Sequence, residues 1–92
     1  MRIALTERFQ RDVRGLRDDQ RSALFDLILA LPKVIADPAR PAGAGFRKIH
    51  ASGVWEARLG LALRLVLTVE PDTATLVRIG DHDEIRRFLR SL

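Results

Sequence analysis

The chain of 92 residues contains no cysteine, which excludes both a disulfide bond and a thiolate metal site. It also lacks low-complexity segments, and with 47% hydrophobic and 30% charged residues a disordered protein is not expected. The first residues reach charged side chains before any apolar stretch long enough for a signal peptide. We therefore expect a globular protein of the cytoplasm, with no cofactor, no metal and no membrane partner.

Lysine is scarce as well, since the chain has 2 lysines against 14 arginines and 12 acidic residues. The formal charge of +4 suits an acidic protein partner, a nucleic acid, or both. An arginine-rich composition can also reflect coding bias, so scattered arginines alone do not indicate a function. The length predicts a single domain over residues 1–92 with a modest core.

Residues 53–70 are predicted to form the hairpin around which the chain is organised. Apolar residues recur with period two on both sides of Gly60, which is typical of two half-buried strands joined by a tight turn. The residues predicted on the core face are Trp55, Ala57, Leu59, Leu63, Leu65, Leu67 and Val69.

The apolar sides of these strands meet if Leu59 opposes Leu63, or if the register shifts by an even number of residues. In the Leu59–Leu63 register, Arg58 lies directly opposite Arg64. Like charges in opposed positions destabilise a sheet by a few tenths of a kcal/mol up to about 1 kcal/mol. An anionic partner would reverse the effect, and phosphate suits the guanidinium fork.

The N-terminal part is predicted to contain a strand at residues 2–5 and a helical hairpin. Thr6 is expected to cap the first helix. Asp18 or Asp19 is expected to cap the second, with a kink or break at Pro32. The short connection indicates antiparallel helices whose apolar stripes face the sheet and whose charged outer sides face solvent.

Beyond the helices, proline and glycine predict a loop over residues 38–45, and residues 46–50 predict an edge strand. Another strand is expected at residues 74–79, with Val77 and Ile79 inward, although the opposite parity stays open. A last helix is predicted to bury Ile85, Phe88, Leu89 and Leu92.

This order of elements resembles the RelE/ParE superfamily of bacterial type II toxin–antitoxin toxins over nearly the full length. The resemblance is carried by the basic strand at residues 46–50, by residues 55–58 and by residues 63–67. Residues 80–83, Gly-Asp-His-Asp, are similar to the Gly-x-His-[Ser/Asp] ending of YafQ-type members. The resemblance implies an α+β, RelE-like (microbial ribonuclease-like) fold. In that fold, an N-terminal strand and a two-helix hairpin pack on an antiparallel sheet, and a short C-terminal helix follows.

The resemblance also implies a cognate antitoxin, a hetero-oligomer with it, and cleavage of messenger RNA on the ribosome. Lys48 and His50 match the basic strand that faces substrate, and Arg58 matches the position near the scissile phosphate. His82 matches the terminal position that is Arg or His in active members. The chain departs from the family pattern because it has no tyrosine and places Arg86 where YafQ-type members have an aromatic residue.

RNA cleavage without a metal needs a base for the 2′-OH proton, an acid for the leaving oxygen, and cations on the phosphate. Histidine exchanges protons near neutral pH. Glu56 is a candidate base, or else an ion-pair partner of Arg64. The predicted catalytic residues are His82, Arg58, Arg64 and Glu56, and the predicted RNA-binding residues are Lys48, His50, Arg47 and Arg78.

Structural roles compete with these assignments, because His82 suits a helix start near an Asp81 cap and His50 suits an exposed edge strand. We expect Lys48 to share a sheet face with Arg58 and Arg64. Two other functions stay open: a ParE-like inhibitor of DNA gyrase without nuclease activity, and a degenerate member that only binds antitoxin. The histidines and the basic strand favour the nuclease.

Overall fold

The computed structural model describes residues 1–37, 45–50 and 52–92. Its elements, in chain order, are β1 (Arg2–Leu5), α1 (Glu7–Arg14), α2 (Asp18–Ala36), β2 (Phe46–His50), β3 (Val54–Leu59), β4 (Leu63–Val69), β5 (Thr73–Asp81) and α3 (His82–Arg90). The strands form one sheet in the order β1-β5-β4-β3-β2, which confirms the predicted α+β class. The loop predicted over residues 38–45 lies outside the described residues except for Gly45.

The β3–β4 hairpin has the predicted register. Leu59 pairs with Leu63, and Arg58 pairs with Arg64. Gly60 begins the connection with φ of +64°, in the left-handed region that glycine adopts without a steric penalty. The alternation of apolar residues is therefore sufficient to set this part of the sheet.

The β5 strand departs from simple alternation. Its register on β4 shifts between the Val66–Arg78 and Leu67–Leu76 pairs, so Val77 is an additional, bulged residue. Leu76 and Ile79 are buried in the core. The inward position predicted for Ile79 is confirmed, whereas Leu76 takes the inward position predicted for Val77. On its other side β5 pairs with β1 in parallel.

The two N-terminal helices begin and end close to the predicted residues. The Thr6 hydroxyl accepts the Phe9 N–H at 3.0 Å, as expected for a cap. The predicted cap at Asp18 or Asp19 is wrong, because Arg17 precedes the helix and donates its backbone N–H to Gln20 Oε1 at 2.9 Å. The α2 helix continues through Pro32 without a break. In the part of the chain that the structure describes, no helix has the length and apolarity needed to cross a bilayer.

Apolar packing occurs on both faces of the sheet. The helical hairpin covers one face and forms the main core, which includes Phe9, Leu24 and Leu31. On the other face α3 covers only part of the surface. The second cluster there contains Val54, Val66, Ile85, Ile49, Phe88 and Leu89. Leu92 is 58% exposed, so its predicted burial is wrong: α3 ends at Arg90, and Leu92 lies beyond it.

Candidate functional site

The sheet face opposite the helical hairpin carries a charged surface beside α3. Directly opposed residues in a sheet point to the same side. The pairs Arg58–Arg64 and Arg47–Glu56 therefore share this face, because Glu56 also pairs with Val66 of the second cluster. We call the surface formed by Arg47, Glu56, Arg58 and Arg64 the arginine face.

Glu56 is the buried acid of the arginine face, with only 6% of its surface exposed. Its Oε1 lies 3.5 Å from Arg47 Nη2 and 3.6 Å from Arg64 Nε. A carboxylate removed from water requires such partners, since burying an uncompensated charge is costly. The ion pair expected between Glu56 and Arg64 is confirmed, and it places a carboxylate beside the arginine pair.

The opposed arginines have different surroundings. The Arg64 side chain is 20% exposed and is held by Glu56. Arg58 is exposed, and within the described ranges its guanidinium forms no ion pair. The repulsion expected between the pair is thus offset on one side by a carboxylate. Arg58 keeps its guanidinium available for an anion.

His82 is the first residue of α3, and its side chain is exposed. The helix start is closed by a capping box. Glu84 N–H donates to Asp81 Oδ1 at 2.8 Å, and Asp81 N–H donates to Glu84 Oε1 at 3.1 Å. Because Glu84 completes the cap, the imidazole of His82 is not needed for it. Gly80, two residues earlier, pairs with Arg64 and so lies in the row of the opposed arginines.

The basic strand β2 divides its side chains between the two faces. Lys48 pairs with Trp55, which belongs to the helical-hairpin side, so the prediction that Lys48 shares a face with the arginine pair is wrong. Successive residues of a strand point to opposite sides, and Arg47 occupies the arginine face instead. The β2 ladder is irregular before His50, whose Nδ1 accepts the Ser52 N–H at 3.1 Å. His50 is exposed at the end of this outer strand, which agrees with the alternative prediction of an exposed edge-strand residue.

Arg78 lies in a structural cluster rather than on the open surface. Its Nε donates to Asp12 Oδ2 at 2.8 Å, and its guanidinium carbon lies 5.5 Å from the centre of the Phe88 ring. The same carboxylate oxygen accepts the Ile79 N–H at 3.1 Å, and Arg8 forms an ion pair with Asp12. Asp12 belongs to the charged outer side of α1 that was expected to face solvent, and this expectation is wrong for it, because its side chain is only 9% exposed. Its spacing from Arg8 was the only local signal, and it did not reveal the contact with β5.

No protein-family model and no curated protein matches the chain. Among solved structures, YafQ from E. coli is similar with a TM-score of 0.73 and 18% identity, covering 92% of this chain and 98% of YafQ. A copper-bound toxin variant from Helicobacter pylori has a TM-score of 0.66 and 26% identity, with the same coverage of 92% and 98%. A YoeB/ParE toxin from Agrobacterium tumefaciens has a TM-score of 0.70 and 18% identity, covering 89% of this chain and 99% of that toxin.

This chain has the RelE/ParE toxin fold. The similarity spans nearly the whole length of the compared toxins. Similar structures also include the E. coli DinJ–YafQ and RelBE complexes, which contain a toxin and its antitoxin.

The sheet assembles the arginine face from three strands, β2, β3 and β4. Within the described residues, no group of three histidine or acidic side chains is arranged to hold a metal ion. Of the predicted site residues, the sheet brings Arg47, Glu56, Arg58 and Arg64 together. His82 follows the β5 end of the same row. Lys48 lies on the opposite face, and Arg78 shares the side of Val66 but is held by Asp12.

Proposed function

We propose that this protein is the toxin of a type II toxin–antitoxin system and that it cleaves messenger RNA on the ribosome. The observation that carries the proposal is the opposed pair Arg58–Arg64 beside the buried carboxylate of Glu56. A free-standing sheet gains nothing from two opposed arginines, whereas a bound phosphodiester would neutralise them. The likeness to solved toxins supports the proposal through the fold.

In the proposed reaction, Arg58 and Arg64 bind the oxygens of the scissile phosphate through their guanidinium groups. The 2′-oxygen attacks phosphorus, forming a new P–O bond while the bond to the 5′-oxygen breaks. Glu56 takes the 2′-OH proton, and His82 donates a proton to the leaving 5′-oxygen. The products are a 2′,3′-cyclic phosphate and a free 5′-hydroxyl, so the step needs no oxidant, reductant or further reactant.

The proposed protein partner is a cognate antitoxin that neutralises the toxin. The DinJ–YafQ and RelBE structures show toxins of this fold in such complexes. The charge of +4 favours an acidic segment of the partner. Expression together with an acidic protein encoded next to this gene should restore growth and give a stable purified complex. Products that never associate would contradict this part of the proposal.

The test of the nuclease is induced expression in bacteria, with growth and messenger RNA cleavage sites measured. His82→Ala should lower the cleavage rate by about 10² to 10⁴, the range for loss of a general acid or base. Arg58→Ala should also abolish growth arrest, because it removes the guanidinium proposed to bind the scissile phosphate. Arg14→Ala, which removes an exposed arginine of α1, is the matched control and should remain toxic.

The alternative target is distinguished in the same cells. Fully toxic His82→Ala and Arg58→Ala proteins, together with DNA breaks that depend on gyrase, would refute the nuclease and support the ParE-like activity. Variants that lose toxicity but still bind antitoxin would show that the substitutions affect the site rather than the fold.

A further inference from the structure

Gly45 lies directly against the side chain of Arg58. The pairing of Phe46 with Ala57 continues to this position, where the Arg58 N–H donates to the Gly45 carbonyl oxygen at 3.1 Å. A methyl group on Gly45 would lie 2.9 Å from Arg58 Cβ, 3.0 Å from Cγ and 3.3 Å from Cδ. The aliphatic part of Arg58 therefore occupies space that any other residue at position 45 would fill.

Two other glycines provide an internal comparison. Gly45, Gly53 and Gly60 have φ values of +73°, +86° and +64°, so all three adopt the left-handed conformation that favours glycine. A methyl group on Gly53 or Gly60 would meet no atom within 4 Å. The backbone turn alone explains these two glycines, whereas Gly45 also has to leave room for Arg58.

Arg58 is flanked by Gly45, the residue before β2, and by Arg64 on β4. The bare Cα of Gly45 lets the Arg58 stem lie toward β2, away from the like charge. A side chain at position 45 would push the stem toward Arg64 and increase the repulsion between the guanidinium groups. The space beside Gly45 thus bears on where the Arg58 guanidinium lies, although Gly45 carries no charge.

We propose that Gly45 is a positioning residue that sets the side-chain conformation of Arg58 and hence the spacing of cations on the arginine face. The effect of Gly45 on the Arg58 side chain is the geometric part of the proposal, and it does not depend on the function of the protein. The consequence for RNA cleavage rests on the function proposed above. A displacement of about 1 Å at a reacting group can cost about 10²-fold in rate. A shift of the Arg58 guanidinium by that distance would therefore be enough to slow catalysis.

The geometric part is tested by NMR on the whole protein, using the Nε–Hε signal of Arg58. Gly45→Asn is the main variant because asparagine tolerates positive φ but carries a Cβ. Gly60→Asn is the control, with the same conformational demand and no side chain to displace. The Arg58 signal should shift in Gly45→Asn and stay in place in Gly60→Asn. An unchanged signal in Gly45→Asn, or equal shifts in both variants, would overturn the proposal.

A double variant that also carries Arg58→Gly keeps the test decisive if Gly45→Asn folds poorly. In Arg58→Gly the atoms that meet the new side chain are absent, so adding Gly45→Asn should lower the melting temperature no more than Gly60→Asn does. An additional loss that persists in this background would mean that Arg58 is not the group displaced.

The catalytic consequence is tested by cleavage of messenger RNA on ribosomes. Gly45→Asn should lower the rate by about tenfold to 10²-fold, and Gly60→Asn should stay close to wild type. In the Arg58→Gly background, Gly45→Asn should leave the residual rate unchanged, because positions that act through each other are not additive. Cleavage at the wild-type rate by Gly45→Asn would refute the positioning role. If the wild-type protein does not cleave RNA, the proposed function fails, while the NMR result still decides the geometric part.

Discussion

The two faces of the sheet use the same strands for different purposes. The helical-hairpin face is apolar and closed, and its central residues Leu65 and Leu67 are 0% exposed. The opposite face is closed by α3 over Val54 and Val66 and is left open over the arginine pair. Alternation along β3 and β4 thus gives one face that is apolar throughout these two strands and another that combines an apolar cluster with charges. One face can therefore carry the main core while the other tolerates like charges.

Asp12 joins the two faces, and its removal should have the largest effect on stability. Its carboxylate accepts the Ile79 N–H and so links α1 to β5. It also accepts a hydrogen bond from Arg78, whose side chain lies on the sheet face covered by α3. Asp12→Ala should cost about 3–5 kcal/mol, because Arg78 would remain buried without a partner. Chemical denaturation measures the loss, with exposed Asp26→Ala as the control. A loss below about 1 kcal/mol would show that the faces are stabilised independently.

Leu65→Ala tests the closed face itself. Deleting a fully buried leucine should cost about 2–5 kcal/mol through lost burial and the cavity left behind. Leu61→Ala is the matched control, since Leu61 is fully exposed at the hairpin tip and its loss should have almost no effect. Equal unfolding free energies for the two variants would mean that the assignment of the strand faces is reversed.

The smallest expected effects lie within the arginine face. Arg64→Ala should cost about 1–3 kcal/mol, because buried Glu56 would keep only the more exposed Arg47 as a partner. Arg58→Ala should leave stability unchanged or raise it by a few tenths of a kcal/mol by removing the repulsion. Thermal and chemical denaturation of both variants check the difference. Equal losses would contradict the unequal roles of the two arginines.

The sequence predicted the parts of the fold in which neighbouring strands share a simple alternation. The Leu59–Leu63 register and the Arg58–Arg64 pair follow from period two alone, because a shift by one residue would expose the core. The bulge at Val77 could not be predicted, nor could the position of Arg47 on the same face as Glu56. Both depend on how the strands pair rather than on composition. Local pattern also failed for Asp12, whose partners on β5 are more than sixty residues away in the chain.

The same alternation of residues along neighbouring strands predicted part of the site. Glu56, Arg58 and Arg64 lie on adjacent strands, so their proximity follows from the hairpin. The family resemblance predicts Lys48 on this face, because the basic strand of the family faces the substrate. Lys48 instead pairs with Trp55 and lies on the opposite face. The contact of Gly45 with Arg58 carries no sequence signal, because an extra glycine beside a loop is expected in any case.

The parallel pairing of β1 with β5 has a consequence for how the chain folds. Arg2 pairs with Thr73 and Leu5 pairs with Leu76, so the first strand can add only after nearly the whole chain is available. Closing such a long loop is entropically costly, and contacts of this kind slow folding. During synthesis the N-terminal strand must therefore wait until residues 73–76 of β5 have been made. The strand that is made first is thus among the last to join the sheet.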